Sequence, residues 1–402
     1  MKVAIIGGGA SGIICAVALK KQNKNINVTV YEKLPRILKK VLSTGNGRCN
    51  LTNVYSSEAF FRGDSSFVSF ALSEYPPEEN MNFFSSMGLI LREEAEGRVY
   101  PMSGQASSVV NVLLSQAQSL GVKIITDTEI KTVESVGNGF VLNGNIKTDK
   151  LVISAGGSAA KQHGTDGDSF RLLESLGLKI IKPTPALTGV IAEKFPKSLK
   201  GVRNICTVNL EIERKSLYKE KGEVQFNDYG LSGIPIMQLS GIVGSSRSEN
   251  IYVILDVLPD IKSKALSVYL LLIKKENPDK TAEDFVCGFL PKALGNHLLL
   301  LCDIKKDTLL KDISDKKIKQ FAELAKNWRI KLAGVRGFEY AQVTAGGLDT
   351  NELNPQTLRC KKYKNLYVTG EAVNVYGLCG GHNLQWAWSS GRLCADAILK
   401  EN

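Results

Sequence analysis

The chain opens on an apolar run, Val3-Ala4-Ile5-Ile6, of the kind that fills a parallel strand buried on both faces. Gly7-Gly8-Gly9-Ala10-Ser11-Gly12 follows at once, and an amphipathic helix is expected from about Ala10 to Lys21. Val28-Thr29-Val30-Tyr31-Glu32 reads as a second strand that ends on a carboxylate. Further on, the pattern predicts a helix over Ser107–Leu120 and strands over Val122–Thr126 and Leu151–Ser154, the last running into Ala155-Gly156-Gly157. From about 191 to 257 the periodicity changes to short β-like runs, Cys206–Ile212, Glu223–Phe226 and Ile251–Leu255, which predict a small barrel or sandwich. From about 262 to 332 it turns helical, with a lysine-rich polar face over Lys316–Lys326. Glycine punctuation returns at Val343, a strand over 366–370 follows, and a closing helix runs from about Leu384 to Leu399.

Strand, glycine turn, helix, strand and acid make up a dinucleotide-binding unit. Gly7 permits the tight turn, Gly9 lets the backbone approach a pyrophosphate, and Gly12 lets helix and sheet pack closely. Ala10 and Ser11 begin the helix whose free N–H groups and positive dipole face the phosphates. Glu32, twenty residues beyond Gly12, is placed to hold a ribose hydroxyl pair, with Lys33 beside it. An acid there disfavours a 2′-phosphate, which leaves FAD or NAD for this site. The far end of the chain favours FAD. A strand ends in Gly370-Glu371, and a glycine loop leads through Gly381, His382, Asn383 and Leu384 into the last helix. The positive end of that helix would stabilise negative charge on a reduced flavin ring.

Composition narrows the field only slightly. Lys and Arg number 51 against 40 Asp and Glu, a net charge of +11. That balance suits a polyanionic partner but equally a solvated lysine-rich surface. Between Lys194 and Lys219 there are seven basic residues and two acids, a patch able to meet an RNA backbone, although no usual RNA-binding signature is present. Eight cysteines contain no Cys-x-x-Cys pair and there are only three histidines, so a metal site of the usual spacing is not expected. No apolar stretch is long enough to span a membrane, and scattered cysteines fit a reducing cytoplasm.

Several blocks together resemble the BaiN/RdsA-type (HI0933-like, YhiN-like) family of FAD-dependent oxidoreductases. The most distinctive runs from Ser43 to Asn53, Ser-Thr-Gly-Asn-Gly-Arg-Cys-Asn-Leu-Thr-Asn. Gly97-Arg98-Val99-Tyr100-Pro101, Gly164-Thr165-Asp166-Gly167-Asp168, Val343-Thr344-Ala345-Gly346-Gly347 and Gly380-Gly381-His382-Asn383-Leu384-Gln385-Trp386-Ala387 support it. The resemblance implies an α/β fold: a Rossmann-like FAD-binding domain in two segments, 1–190 and 333–402. Between them lies an inserted substrate domain, 191–332, β-rich to 257 and helical from 262. It also adds Gly45, Asn46, Gly47, Arg48, Asn50, Ala155, Gly156 and Gly157 to the residues expected at the cofactor. Asn374, Tyr376 and His382 depart from the family pattern, so substrate choice is expected to differ from that of any one relative.

The chemistry expected is hydride transfer from reduced flavin to a C=C bond conjugated to a carbonyl. Donors on the carbonyl oxygen stabilise the developing enolate, and a weak acid protonates carbon. The candidates are Arg48 for negative charge, Cys49 for the proton, and Tyr376 and His382 for either task. No second nucleotide-binding fingerprint occurs, so NADH or NADPH would dock transiently at the flavin. Through the family, the expected substrate is a small enone such as a 3-oxo bile-acid intermediate. The alternatives are uracil in ribosomal RNA, an amine oxidised with oxygen, and a non-catalytic flavin-stabilised RNA-binding scaffold.

Overall fold

The computed structural model describes residues 1–400 and divides into two units, Met1–Pro185 with Phe338–Asn402, and Ala186–Gly337. In the first, the strands Leu366–Val368, Lys150–Ile153, Lys2–Ile6, Asn27–Tyr31 and Lys123–Ile125 lie side by side in that order, all parallel. Residues 3–6 and 151–153 are buried, as their continuous apolar runs require. The helices Ala10–Gln22 and His382–Lys400 pack against each other. Gly391 permits this, because a Cβ there would come 2.5 Å from the Ser11 carbonyl oxygen.

The strand order locates the site. The chain leaves Lys2–Ile6 for Asn27–Tyr31 on one side and fills Lys150–Ile153 on the other only later. The crevice at the carboxyl ends of these strands is a topological switch point, where open α/β sheets take their ligands. Gly7, Glu32, Ser154 and Thr369 each follow directly on one of the four strands that meet there.

The second unit is built on a closed six-stranded barrel of Val190–Ala192, Gly230–Ser232, Lys215–Phe226, Arg203–Ile212, Ile251–Asp256 and Trp328–Val335. The helices Ser263–Glu276, Ala282–Cys287, Lys292–Leu301 and Asp315–Lys326 intervene before the last strand. Two elements differ from the sequence reading. Residues expected to be β-like include the helix Ile234–Ser245, whose apolar residues lie all round and give no helical stripe. The helical stretch expected to reach 332 ends earlier, and Trp328–Val335 closes the barrel with the alternating burial of a strand.

Candidate functional site

The glycine turn is built as a cradle. Gly7 has φ +106°, a conformation in which a side chain is strained, and a Cβ on it would lie 2.5 Å from the Ser154 carbonyl oxygen. A Cβ on Gly12 would meet the Ser154 hydroxyl at 2.5 Å. Gly9 stands before the helix without a side-chain cap, and the first turn holds no acid. The N–H groups of Ala10, Ser11 and Gly12 therefore remain available to an anion. Glu32 accepts from the Gly8 N–H at 2.8 Å and from the Leu34 N–H at 2.9 Å, which fixes its carboxylate at the rim of the turn.

The second strand junction joins this turn. Gly156 is left-handed, and a Cβ on Gly157 would come 3.0 Å from the Glu371 carboxylate. Glu371 accepts from the Thr344 N–H at 2.9 Å and pairs with Lys40 at 2.7 Å. The Thr344 hydroxyl oxygen accepts from the Ser158 and Ala159 N–H groups at 2.8 and 3.1 Å. Gly370 lies against Ser11: its missing Cβ would be 2.5 Å from the Ser11 hydroxyl. Its carbonyl accepts from the Trp386 indole at 2.9 Å. Ala155, Gly156, Gly157, Gly370 and Glu371 thus converge on the same crevice as the first turn. Lys33 is held elsewhere, its ammonium paired with Asp166 at 2.9 Å and with Asp168.

A third group surrounds Asn50. Gly45, Asn46 and Gly47 are all left-handed, as is Cys49. A Cβ on Gly45 would lie 2.8 Å from the Asn50 N–H nitrogen, and one on Gly381 would lie 2.9 Å from Asn50 Oδ1. That oxygen is buried without a hydrogen-bond partner, an expensive state for a carbonyl unless a ligand completes it. Arg48 stacks on the Tyr100 ring at 4.1 Å and pairs with Glu94 at 2.5 Å. Cys49 is fully buried, and burial pushes its thiol up to about 12.

The fourth group is the entry to the last helix. Asn383 clasps Gly377, accepting from its N–H at 2.8 Å and donating to its carbonyl at 2.7 Å. Tyr376 pairs with Arg62 in the short ladder of Val375–Gly377 with Phe61–Gly63. Burial pushes its hydroxyl up to about 12. His382 is 2% exposed, stacks on Phe60 at 4.4 Å, and shares a 2.8 Å hydrogen bond between Nδ1 and the Ser56 hydroxyl. Burial pulls its imidazole down to about 4, so the ring is neutral at physiological pH. Leu384 follows, half-buried.

Thr344, Lys40 and Ser56 join these clusters without having been singled out in the sequence. Only Thr344 carried a signal, as a member of the block Val343–Gly347. Among the described residues no group of three or more His, Cys, Asp or Glu is placed to hold a metal ion. No helix among them is long and apolar enough to cross a membrane.

The strand-end crevice, the uncapped helix terminus, the side-chain-free cradle and the orphaned Asn50 oxygen fit FAD, and they define a Rossmann-type flavoprotein of the oxidoreductase class. Residues 1–397 match the HI0933-like protein Rossmann domain, and the chain belongs to that family. It is 34% identical over 410 residues to the 3-dehydro-bile acid delta(4,6)-reductase of Clostridium scindens, covering 99% of both chains. It is 29% identical over 408 residues to the ribosomal RNA dihydrouridine synthase of Haemophilus influenzae, covering 99% of this chain and 98% of that one. Among solved structures, an open conformation of a flavocytochrome c3 fumarate reductase aligns with TM-score 0.52 at 13% identity, over 99% of this chain and 78% of that one. The quinol fumarate reductase of E. coli aligns with TM-score 0.51 at 14% identity, over 100% and 70%.

Proposed function

We propose that the protein is a cytoplasmic FAD-dependent reductase of a C=C bond conjugated to a carbonyl. Its substrate is a small apolar enone of the 3-dehydro-bile-acid kind, and NADH or NADPH is its electron donor. The observation that carries this reading is the pair of buried, uncharged donors, Tyr376 and His382, at the glycine loop. Its support from kinship is the 34% identity to a bile acid reductase over 99% of both chains.

In this reading Gly7, Gly9, Ala10, Ser11 and Gly12 seat the pyrophosphate, and Glu32 takes the ribose hydroxyls. Asn50, Gly156, Gly157, Gly370, Glu371, Gly381 and Asn383 line the rest of the cofactor site. Bound FAD supplies the two-electron chemistry. Tyr376 and His382 do the chain's own part. Both stay uncharged at neutral pH, so both can present an N–H or O–H to a carbonyl oxygen and stabilise charge as it develops. The Tyr376 hydroxyl also holds a proton for the carbon. Cys49 is fully buried, and burial makes its thiol as weak an acid as the Tyr376 hydroxyl. Arg48 is paired with Glu94 and stacked on Tyr100.

A second reading, the same bond change on uracil in ribosomal RNA, is favoured by the unit Ala186–Gly337. It carries 25 Lys and Arg against 18 Asp and Glu. Anaerobic mixing with NADH and then NADPH tests the reductase reading directly. Bleaching of the flavin absorbance, reversed by an α,β-unsaturated steroid ketone, is the expected result. Reversal only by uridine-containing RNA would move the substrate to the second reading. No bleaching by either nucleotide would overturn the proposed donor.

A further inference from the structure

The strands Thr52–Asn53, Arg98–Pro101 and Leu91–Glu93 form a short antiparallel sheet, and its register decides which side chains share a face. Asn53 stands opposite Arg98, and Arg92 stands opposite Tyr100. Opposed residues, and residues two apart on one strand, lie on the same side of a sheet. Asn53, Arg92, Arg98 and Tyr100 therefore share a face, while Val99 on the other face is fully buried. Arg48 joins the first face from outside the sheet, stacked on the Tyr100 ring at 4.1 Å.

This face borders the site already described. Asn53 donates to the Gly380 carbonyl at 3.1 Å, and a Cβ on Gly380 would come 3.3 Å from Nε2 of His382. A Cβ on Gly45, in the turn that closes on Asn50, would lie 3.4 Å from the Tyr100 ring.

The charges here do not cancel. Arg98 pairs with Glu96 at the rim. Arg48 and Arg92 both rest on the same oxygen of Glu94, at 2.5 and 2.9 Å. The Arg48 guanidinium holds the Glu94 carboxyl below the usual carboxylate range, so that acid is ionised at neutral pH. Two guanidiniums against one carboxylate leave a positive charge over. The two cations also repel each other across the shared oxygen, and a second anion would relieve that repulsion. Each spends one nitrogen on Glu94, and their side chains are 38% and 41% exposed, so both keep N–H groups for another acceptor.

We propose that Arg48 and Arg92 form an anion subsite beside the glycine loop, which takes a carboxylate carried by the enone substrate at a point remote from its C=C bond. The proposal takes the enone from the reductase reading and adds the charge that orients it. A single surplus charge matches a carboxylate, whereas a phosphate monoester, near −2, would be left half neutralised. Arg92 is then a specificity residue, acting through charge-assisted hydrogen bonds to the substrate and not on the bond that changes.

The test uses full-length, FAD-loaded protein in its oxidised state. Binding is read from the perturbation of flavin absorbance, so no turnover is needed. The probes are a saturated 3-oxo steroid carboxylic acid and its methyl ester. The acid should bind about tenfold more tightly than the ester, with the gap narrowing as salt is raised. Arg92→Gln should weaken the acid about tenfold and close the gap. Glu94→Gln, which removes the competing carboxylate, should tighten the acid instead. Retained flavin absorbance shows that each variant is folded. Absent or equal binding of acid and ester by the unmodified protein overturns the subsite, as does a loss in Arg92→Gln that the ester shares. Acid-selective binding without turnover of any enone overturns the reductase reading and leaves the subsite standing.

Discussion

The two units place their polar groups in opposite ways. Ala186–Gly337 carries the larger share of the net charge, with 25 cations against 18 anions, where the rest of the chain has 26 against 22. Its charges lie mostly at the surface, as in Arg203–Glu223 at 3.3 Å with both side chains more than half exposed. The first unit is closer to neutral, yet it gathers left-handed turns at Gly7, Gly45–Gly47 and Gly380–Gly381. It also holds the unpaired Asn50 oxygen and the buried, neutral His382. Net charge marks where the protein meets water. Strain and unpaid desolvation mark where it meets a ligand.

If that contrast is right, the largest effect belongs to the cradle. Gly12→Val would push side-chain atoms into Ser154 and is expected to lower FAD affinity by about a hundredfold or more, read as flavin retained per chain after gel filtration. Next comes acid. The folded His382 titrates near 4 against about 6.5 unfolded, so the unfolded chain binds the extra proton between those values. Stability should be unaffected by this group above pH 6.5 and fall as pH drops towards 4, by up to about 3 kcal/mol. Denaturant melts of His382→Gln should show a shallower loss. Glu32→Ala removes the acceptor for two N–H groups and should weaken FAD binding about tenfold. Smallest of all, Arg203→Ala in the barrel should change stability by less than about 0.5 kcal/mol and leave flavin retention untouched. A large loss of flavin from that last variant would break the comparison.

The legibility of the sequence followed the distance between partners. Gly7, Gly12 and Glu32 were readable because a strand, a turn and a helix are local and each glycine answers a local steric demand. The barrel strands around Cys206–Ile212 and Ile251–Leu255 were readable from alternation. Ile234–Ser245 was not, since a helix apolar on every side has no stripe to find. Ser56 and His382 are 326 positions apart, and Lys40 and Glu371 are 331 apart. No spacing rule reaches that far, so these partners needed the fold. Lys33 illustrates the converse: its neighbour in sequence is Glu32, but its partners are Asp166 and Asp168.

The closing helix His382–Lys400 packs on Ala10–Gln22, and the strand Leu366–Val368 completes an edge of the sheet begun by Lys2–Ile6. On the ribosome, then, the first strand and its glycine turn emerge with their partners still unmade. All of Ala186–Gly337 is synthesised before the sheet can close. Until residues 366–400 are made the nascent chain cannot assemble the whole cofactor cradle, and flavin capture becomes a step that follows their synthesis rather than one that guides it. A ribosome stalled before residue 366 should therefore display a chain that retains no flavin.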